Sequence, residues 1–173
     1  MSIAPATPRP ADPSAERERA REVLASVADP EIPVLSLLDL GVIRSLAPLG
    51  SSGLAVGLSP TYTGCPATAV IRADIIRALE AAGFAPIRVT DVLSPAWTSD
   101  WISAEGRRKL AAYGIAPPAA VGSRRALAGD DTPGCPRCGS ADTELVSEFG
   151  STPCKALHRC RSCREPFDRF KCI

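Results

Sequence analysis

Two closely spaced cysteine pairs near the end of the chain constrain its fold more than any other feature. Two residues separate Cys135 from Cys138, and two separate Cys160 from Cys163. A hairpin between the pairs can bring four thiolates to the corners of a tetrahedron, the usual geometry of structural zinc. We therefore predict that these four cysteines bind one zinc ion. Because four protein ligands leave no position for a substrate, we expect the zinc to be structural.

The residues around the cysteine pairs favour a metal site. Gly139 directly follows the first pair, where a tight turn favours positive φ. Four thiolates around a divalent ion leave a net charge of about −2, which nearby arginines can offset. These arginines are Arg137, Arg159, Arg161 and Arg164. The segment has few large apolar side chains, so we expect metal binding to drive its folding. Disulfide bonds are the alternative, but no other feature indicates an oxidising compartment.

Composition places the chain among ordinary globular proteins. Its 173 residues accommodate one modest domain and a small one, with 45% hydrophobic and 23% charged residues. The net charge of +1 provides no strong field toward nucleic acids or anionic membranes. No apolar run approaches the roughly 20 residues that span a bilayer, and the N-terminus lacks a signal-peptide pattern. We expect a cytoplasmic protein with reduced cysteines and neither nucleic-acid nor membrane partners.

The sequence divides into four predicted segments. Residues 1–14 are rich in proline and lack apolar periodicity, so we predict a disordered tail. An α/β domain follows over 15–113, then a linker with two adjacent prolines over 114–132, and the zinc ribbon over 133–173.

Apolar periodicity predicts alternating helices and strands within the α/β domain. In chain order we predict a helix over 15–28, strands over 42–48 and 54–58, a helix over 66–83, a strand over 87–93, and a helix from Thr98 or Ser99 to Tyr113. Prolines prevent residues 29–33 from continuing the first helix. Gly41 is free to take positive φ in a turn before the first strand.

Cys65 stands at the predicted junction between a strand and a helix. Pro66 suits the first helical position because its missing N–H would have no partner there. Cys65 then lies at or beside the N-cap, where backbone N–H groups and the helix dipole favour a thiolate. One interpretation is a reactive or metal-ligating thiol. The other is a small buried cysteine.

Several further residues permit two interpretations. Cys154 and Cys172 lie outside the paired motifs. His158, the only histidine, precedes the second pair and offers an alternative ligand, although four cysteines already have the required spacing. Trp97 and Trp101 flank the start of a predicted helix, where they form either local packing or an exposed docking surface.

Three short motifs in the first half of the chain are similar to those of a known family. They are Asp29-Pro-Glu-Ile-Pro33, Asp39-Leu-Gly-Val-Ile43 and Thr63-Gly-Cys65-Pro66. Together they resemble the metal–sulfur cluster assembly domain, the family of SufT and the eukaryotic cytosolic iron–sulfur targeting factors. This resemblance covers roughly residues 17–93.

Motifs in the remainder resemble one branch of that family, the D (or J) subunits of the phenylacetyl-CoA epoxidase system. They are Pro95-Ala-Trp-Thr-Ser-Asp-Trp101, Gly106-Arg-Arg-Lys-Leu110, Phe149-Gly-Ser-Thr-Pro-Cys-Lys155 and Glu165-Pro-Phe-Asp-Arg-Phe-Lys-Cys172. The resemblance implies an α/β fold with a small mixed three-stranded sheet, packed helices and an appended zinc ribbon. It also implies a non-catalytic role beside a di-iron oxygenase and its iron–sulfur reductase in aerobic phenylacetate degradation.

The resemblance further implies which thiols handle metal. In that family the cysteine matching Cys65 is connected with metal or cluster handling. Cys154 and Cys172 fall within family-like stretches, which makes them candidates for a site shared with Cys65. The implied cofactors are a structural zinc ion and a transient iron or iron–sulfur centre.

The function expected from the sequence is therefore that of an accessory protein rather than an enzyme. The chain has no nucleotide-binding glycine loop and no Ser/His/Asp arrangement, and one histidine cannot supply two Glu-x-x-His motifs for a di-iron site. We expect it to assist iron or iron–sulfur assembly in the oxygenase and reductase components. A permanent structural subunit of that complex is the alternative. A nucleic-acid-binding ribbon is disfavoured by the near-neutral charge.

Overall fold

The computed structural model describes residues 13–62, 64–120 and 132–171. The predicted tail up to residue 12, residues 121–131 of the predicted linker, and Cys172 lie outside this range. The elements, in order, are α1 (Pro13–Ala25), α2 (Leu37–Leu40), β1 (Ile43–Leu49), β2 (Gly53–Leu58), α3 (Ala67–Ala81), β3 (Ile87–Asp91), a 3-10 turn (Ser99–Trp101), α4 (Ala104–Ala112), β4 (Thr143–Ser147), β5 (Lys155–Cys160) and β6 (Pro166–Phe170). No helix in the described part of the chain is long and apolar enough to cross a membrane.

The first domain is built on a mixed sheet of three strands in the order β1-β2-β3. The β1–β2 pair is antiparallel, whereas β2 and β3 are parallel and are connected through α3. The alternating apolar side chains of the central strand are fully buried, as are those along one face of α1 and of α3. They are Leu54, Val56, Leu58, Ala20, Leu24, Ile75 and Leu79. The predicted α/β class with a small mixed three-stranded sheet is confirmed.

The short helix α2 was predicted only as a turn. Ser36 and Asp39 form a reciprocal capping box, in which each side chain accepts the other residue's backbone N–H. The helix ends at Gly41, whose φ of 73° confirms the predicted positive φ. A Cβ there would stand 2.4 Å from the Trp101 carbonyl oxygen, so both the conformation and the available space require glycine.

The single helix predicted from Thr98 or Ser99 to Tyr113 is wrong in its first part. Thr98 does cap a turn, but that turn is a separate 3-10 segment. Ser103 then adopts an extended backbone, and its Oγ accepts a hydrogen bond from the Gly106 N–H at 2.8 Å. This second cap starts α4 anew, because a capping serine in extended conformation cannot continue the preceding turn.

Local packing accounts for both tryptophans. Trp97 is 4% exposed, and its Nε1–H donates to the Leu40 carbonyl at 3.1 Å. Its ring lies 5.9 Å from that of Phe170, which comes from the far end of the chain. The Arg44 guanidinium lies 3.4 Å above the Trp101 ring. The docking-surface alternative therefore does not hold for Trp97.

The C-terminal domain is an antiparallel sheet in the order β4-β5-β6 that packs against the α/β domain. Ala116 connects the two, since its N–H donates to the Asp168 carbonyl at 2.9 Å and its carbonyl accepts from the Phe170 N–H at 3.0 Å. The Phe170 and Cys154 side chains belong to the same buried cluster as the α/β core. The ribbon thus contributes the Cys154 thiol to the buried core of the α/β domain.

Candidate functional site

The four predicted zinc ligands meet at one end of the ribbon. All four Sγ atoms lie within 4.8 Å of one another, with Cys135 and Cys163 3.7 Å apart and Cys138 and Cys160 3.6 Å apart. A tetrahedral zinc ion with Zn–S bonds of about 2.3 Å requires an S···S separation of about 3.8 Å. These two pairs of sulfurs therefore already stand at ligand spacing.

The backbone around these sulfurs has the form of two matching knuckles. Gly139 and Arg164 each follow the second cysteine of a pair, and both have positive φ, at 76° and 66°. The φ of Gly139 confirms the positive φ predicted for the turn after the first cysteine pair. The Cys163 N–H lies 3.4 Å from the Cys160 Sγ, and this hydrogen bond lowers the pKa of the Cys160 thiol to about 6. The knuckle thus favours a thiolate at Cys160, whereas the neighbouring sulfurs raise the pKa of Cys163 to about 12.

The arginines expected to offset the thiolate charge are largely paired with carboxylates. Both Arg159 and Arg161 form ion pairs with Glu144, and Arg137 lies 3.3 Å from Glu165. Their charge is therefore shared with acidic groups rather than available to the sulfurs alone. These arginines therefore offset less of the thiolate charge than the sequence suggested.

Two further thiols line a small cavity between the two domains. Cys65 and Cys154 both line this cavity, together with Asp29 and Glu31. The cavity is partly open to solvent and has a volume of about 20 Å³, enough for about one water molecule. The structure thus brings together two of the three candidate thiols, and the third, Cys172, lies outside the described residues.

Cys65 reaches the cavity from the loop before α3. Its N–H donates to the Tyr62 carbonyl at 3.2 Å, and its own carbonyl accepts from the Thr68 N–H at 3.2 Å. Pro66 is the N-cap rather than the first helical residue, and it provides no side-chain cap. Cys65 therefore stands one residue before the N-cap and is half-buried.

Cys154 reaches the cavity from the loop before β5. It is 4% exposed, with its Sγ 3.0 Å from the Thr152 hydroxyl and 4.0 Å from the Glu31 Oε2. Burial raises the pKa of the Cys154 thiol, and the negative charges of Glu31 and Asp29 raise it further against the opposing effect of Thr152 and Lys155. Burial and the neighbouring carboxylates therefore favour the protonated thiol at Cys154.

The carboxylates come from the proline-bounded segment between α1 and α2. Asp29 is 5% exposed, and its Oδ1 accepts the backbone N–H groups of Glu31 and Ile32 at 2.9 and 2.8 Å. Burial raises the pKa of both Asp29 and Glu31, while the cationic Lys155 lowers it. Asp29 thus shapes the loop, which leaves the Glu31 side chain to face Cys154.

Tyr62 places a phenol beside these groups. Its Oη is buried, and the Cys65 thiol beside it is the group to which it can hydrogen-bond. Burial and the neighbouring Cys65 sulfur raise the pKa of Tyr62 to about 12.

Comparisons with known proteins follow the same division of the chain. The family model described as "Iron-sulfur cluster assembly protein" matches residues 17–91, and the "PaaD zinc beta ribbon domain" matches residues 119–171. An Escherichia coli (strain K12) protein, provisionally named as the D subunit of 1,2-phenylacetyl-CoA epoxidase, is 50% identical over 151 residues. Those residues are 87% of this chain and 90% of the relative. The chain belongs to the family of phenylacetyl-CoA epoxidase D subunits.

A solved structure supports the fold of this D-subunit family member. The domain of unknown function DUF59 from Bacillus anthracis superposes with a TM-score of 0.53 at 22% identity. The likeness covers 57% of this chain and 93% of that domain. At this identity it shows the fold alone.

Sequence reasoning missed part of the cavity. Asp29 and Glu31 were recognised only as part of a family motif. Lys155 and Tyr62, which do not line the cavity but act electrostatically on or beside its groups, were not singled out. The available signal was a pair of carboxylates on either side of Pro30, in a segment whose prolines exclude it from a helix. His158, kept as an alternative ribbon ligand, stacks on Phe167 at 5.8 Å and is not in the four-sulfur group.

Proposed function

We propose that this D-subunit family member is an accessory maturation protein that handles iron at the cavity shared by Cys65 and Cys154. Its recipients are the oxygenase and reductase components of phenylacetyl-CoA epoxidase. The observation that carries the proposal is that the cluster-assembly-type domain and the ribbon each contribute one thiol to a single cavity. The family models and the name of the E. coli relative support it.

The ribbon has a defined task in this proposal. A zinc ion held by its four cysteines folds the ribbon, because metal affinity becomes folding free energy in a segment with a small core. Its own buried core includes Ala116 and Phe167. The folded ribbon then presents Cys154 to Cys65. Zinc acts at a distance from the iron-handling cavity and has no part in any reaction.

The proposed role is non-catalytic. The only histidine, His158, is stacked within the ribbon, so the cavity draws on thiols and carboxylates. Such groups can bind and release a metal ion as their protons exchange.

A permanent structural subunit of the oxygenase complex is the second candidate. Three apolar side chains of the ribbon favour it, because they are exposed and close in sequence. They are Leu145, Val146 and Phe149, with exposed fractions of 49%, 54% and 67%.

The two candidates differ in when the protein is needed. The oxygenase and reductase components are produced with this protein, which is then removed, and epoxidase activity, iron and sulfide are measured. Under our proposal these components retain activity and full iron content, whereas components produced without the protein are iron-deficient. Full iron loading without the protein, together with immediate rescue when it is added to the assay, would make it a structural subunit.

A further inference from the structure

We propose that Tyr62 is the positioning residue of Cys65 and that its buried hydroxyl donates a hydrogen bond to the Cys65 sulfur. The inference rests on the proposed function, in which Cys65 handles iron, and names the group that stabilises its thiolate. Three observations carry it: the turn that joins the two residues, the burial of the hydroxyl, and the different acidities of a phenol and a thiol.

A tight turn places the two residues next to each other. The Cys65 N–H donates to the Tyr62 carbonyl at 3.2 Å, so these two residues are the first and last of a β-turn. Gly64, the third residue of this turn, has a φ of 85°. A Cβ on Gly64 would meet no heavy atom within 4 Å, so the backbone conformation rather than crowding favours glycine here. The local backbone therefore fixes the pair.

The hydroxyl of Tyr62 has no role in packing. The ring lines a surface groove with Leu93 and Trp97, and phenylalanine would line it equally well. The Oη atom is buried, and a buried hydroxyl destabilises the fold unless it has a hydrogen-bond partner. The Cys65 thiol lies beside it and is the group to which it can hydrogen-bond. The hydroxyl is therefore explained by Cys65 rather than by the groove.

The acidities of the two groups determine which of them is the donor. A thiol has an ordinary pKa of about 8.5 and a phenol one of about 10, so the sulfur loses its proton first. Burial, together with the neighbouring Cys65 sulfur, raises the pKa of Tyr62 to about 12, which keeps the phenol protonated. A hydrogen bond to a charged acceptor is stronger than one to a neutral acceptor. Tyr62 therefore stabilises the Cys65 thiolate, the form that binds metal.

The second thiol at the cavity has a different environment. The Cys154 Sγ also has a hydroxyl neighbour, Thr152, at 3.0 Å. Burial and the carboxylates of Glu31 and Asp29 nevertheless raise the pKa of the Cys154 thiol. Cys65 is half-buried, whereas Cys154 is 4% exposed. The hydroxyl of Tyr62 thus acts on the more accessible of the two thiols.

The test is the pH profile of Cys65 alkylation in the full chain with its ribbon loaded with zinc. Iodoacetamide is added at a series of pH values, and the modified peptide that contains Cys65 is quantified by mass spectrometry. The midpoint for Tyr62→Phe should lie about one pH unit above that of the wild type, because a hydrogen bond to the thiolate is lost. The midpoint is the readout, since the intrinsic nucleophilicity of the thiolate changes as well.

The other tyrosine of the chain provides a matched control. Tyr113 is 58% exposed, so Tyr113→Phe removes a phenolic hydroxyl away from Cys65 and should leave the midpoint unchanged. Circular dichroism and retained ribbon zinc establish that each variant is folded. An unshifted midpoint in folded Tyr62→Phe, or an equal shift in Tyr113→Phe, would overturn the inference.

A reciprocal measurement remains informative if Tyr62→Phe does not fold. In the Tyr113→Phe chain Tyr62 is the only tyrosine, so the ultraviolet absorption of phenolate reports its ionisation alone. Adding Cys65→Ser removes the neighbouring thiolate and should lower the midpoint of Tyr62 ionisation, within the pH range where circular dichroism shows a folded chain. Identical midpoints with and without the Cys65 thiol would contradict the pairing.

Failure of this inference and failure of the proposed function give different results. If the alkylation midpoint does not shift but Cys65→Ser leaves the epoxidase components iron-deficient, the proposed function stands and the role of Tyr62 is wrong. If the midpoint shifts as expected but the components acquire full iron with Cys65→Ser, the pairing stands and the proposed function fails.

Discussion

Phe170 is the side chain through which the ribbon enters the core of the α/β domain, and its truncation tests whether the two domains form one unit. It is 1% exposed, lines the thiol cavity and lies 5.9 Å from the Trp97 ring. Phe→Ala substitutions in cores lower the free energy of unfolding by about 3–5 kcal/mol through lost transfer energy and the cavity left behind. Loss of the aromatic pair is part of that cost, at about 0.5–1.5 kcal/mol.

We therefore expect Phe170→Ala to lower the free energy of unfolding by about 3–5 kcal/mol. Urea denaturation of the zinc-loaded chain, followed by tryptophan fluorescence, measures it because Trp97 lies beside the substitution. The control is Phe149→Ala, since Phe149 is 67% exposed and the Lys171 ammonium lies 4.3 Å from the centre of its ring. That variant should lose about 0.5–1 kcal/mol at most.

The same variant should also affect metal binding. If Phe170 positions Cys154, the Phe170→Ala chain should bind Co²⁺ at the cavity at least tenfold more weakly while its ribbon retains zinc. Equal losses of stability for the Phe170 and Phe149 variants, with unchanged cobalt affinity, would refute the reasoning. The ribbon would then be only loosely attached to the α/β domain.

Three further predictions concern the zinc site, one carboxylate and the first thiol. Native mass spectrometry should find one zinc ion, lost when Cys135→Ser is combined with Cys163→Ser; disulfides between ribbon cysteines in freshly isolated protein would contradict this. Desolvation raises the pKa of Asp39, but hydrogen bonds from Lys109, at 2.6 Å, and from two serines outweigh it and hold the pKa below its usual value of about 3.9. The stabilisation from this carboxylate is fully present above that usual pKa and is lost as pH falls through the folded-state pKa. Lys109→Met should therefore make the free energy of unfolding depend less steeply on pH below about pH 4. An unchanged pH dependence would contradict the assignment. Cys65→Ser should change stability by less than about 1 kcal/mol yet abolish support of the epoxidase; an unfolded variant whose folded fraction works normally would show that Cys65 is merely a core residue.

Local patterns in the sequence predicted much of the fold. The buried alternation of Leu54, Val56 and Leu58 predicted the central strand, and paired cysteines predicted the four-sulfur group. These features depend on short spacings, which determine side-chain direction directly. The positive φ of Gly139 follows from the same knuckle geometry.

Features that depend on contacts between distant residues could not be predicted. The short helix α2 depends partly on Asp39, whose carboxylate also accepts the Ser103 hydroxyl at 3.1 Å. The meeting of Cys65 and Cys154 depends on how Phe170 packs across the domain boundary. No periodicity or spacing encodes that packing, so the sequence could suggest a shared site only through the family resemblance.

Under the proposed function, thiols from both domains act together in metallating the epoxidase. The iron content of the oxygenase and reductase components is measured after production with wild-type protein, with Cys154→Ser and with the exposed control Arg77→Gln. We predict wild-type iron content with the control variant. With Cys154→Ser we predict the same deficiency as when the protein is absent, although its ribbon still holds zinc. Full iron content with folded, zinc-loaded Cys154→Ser would contradict the account.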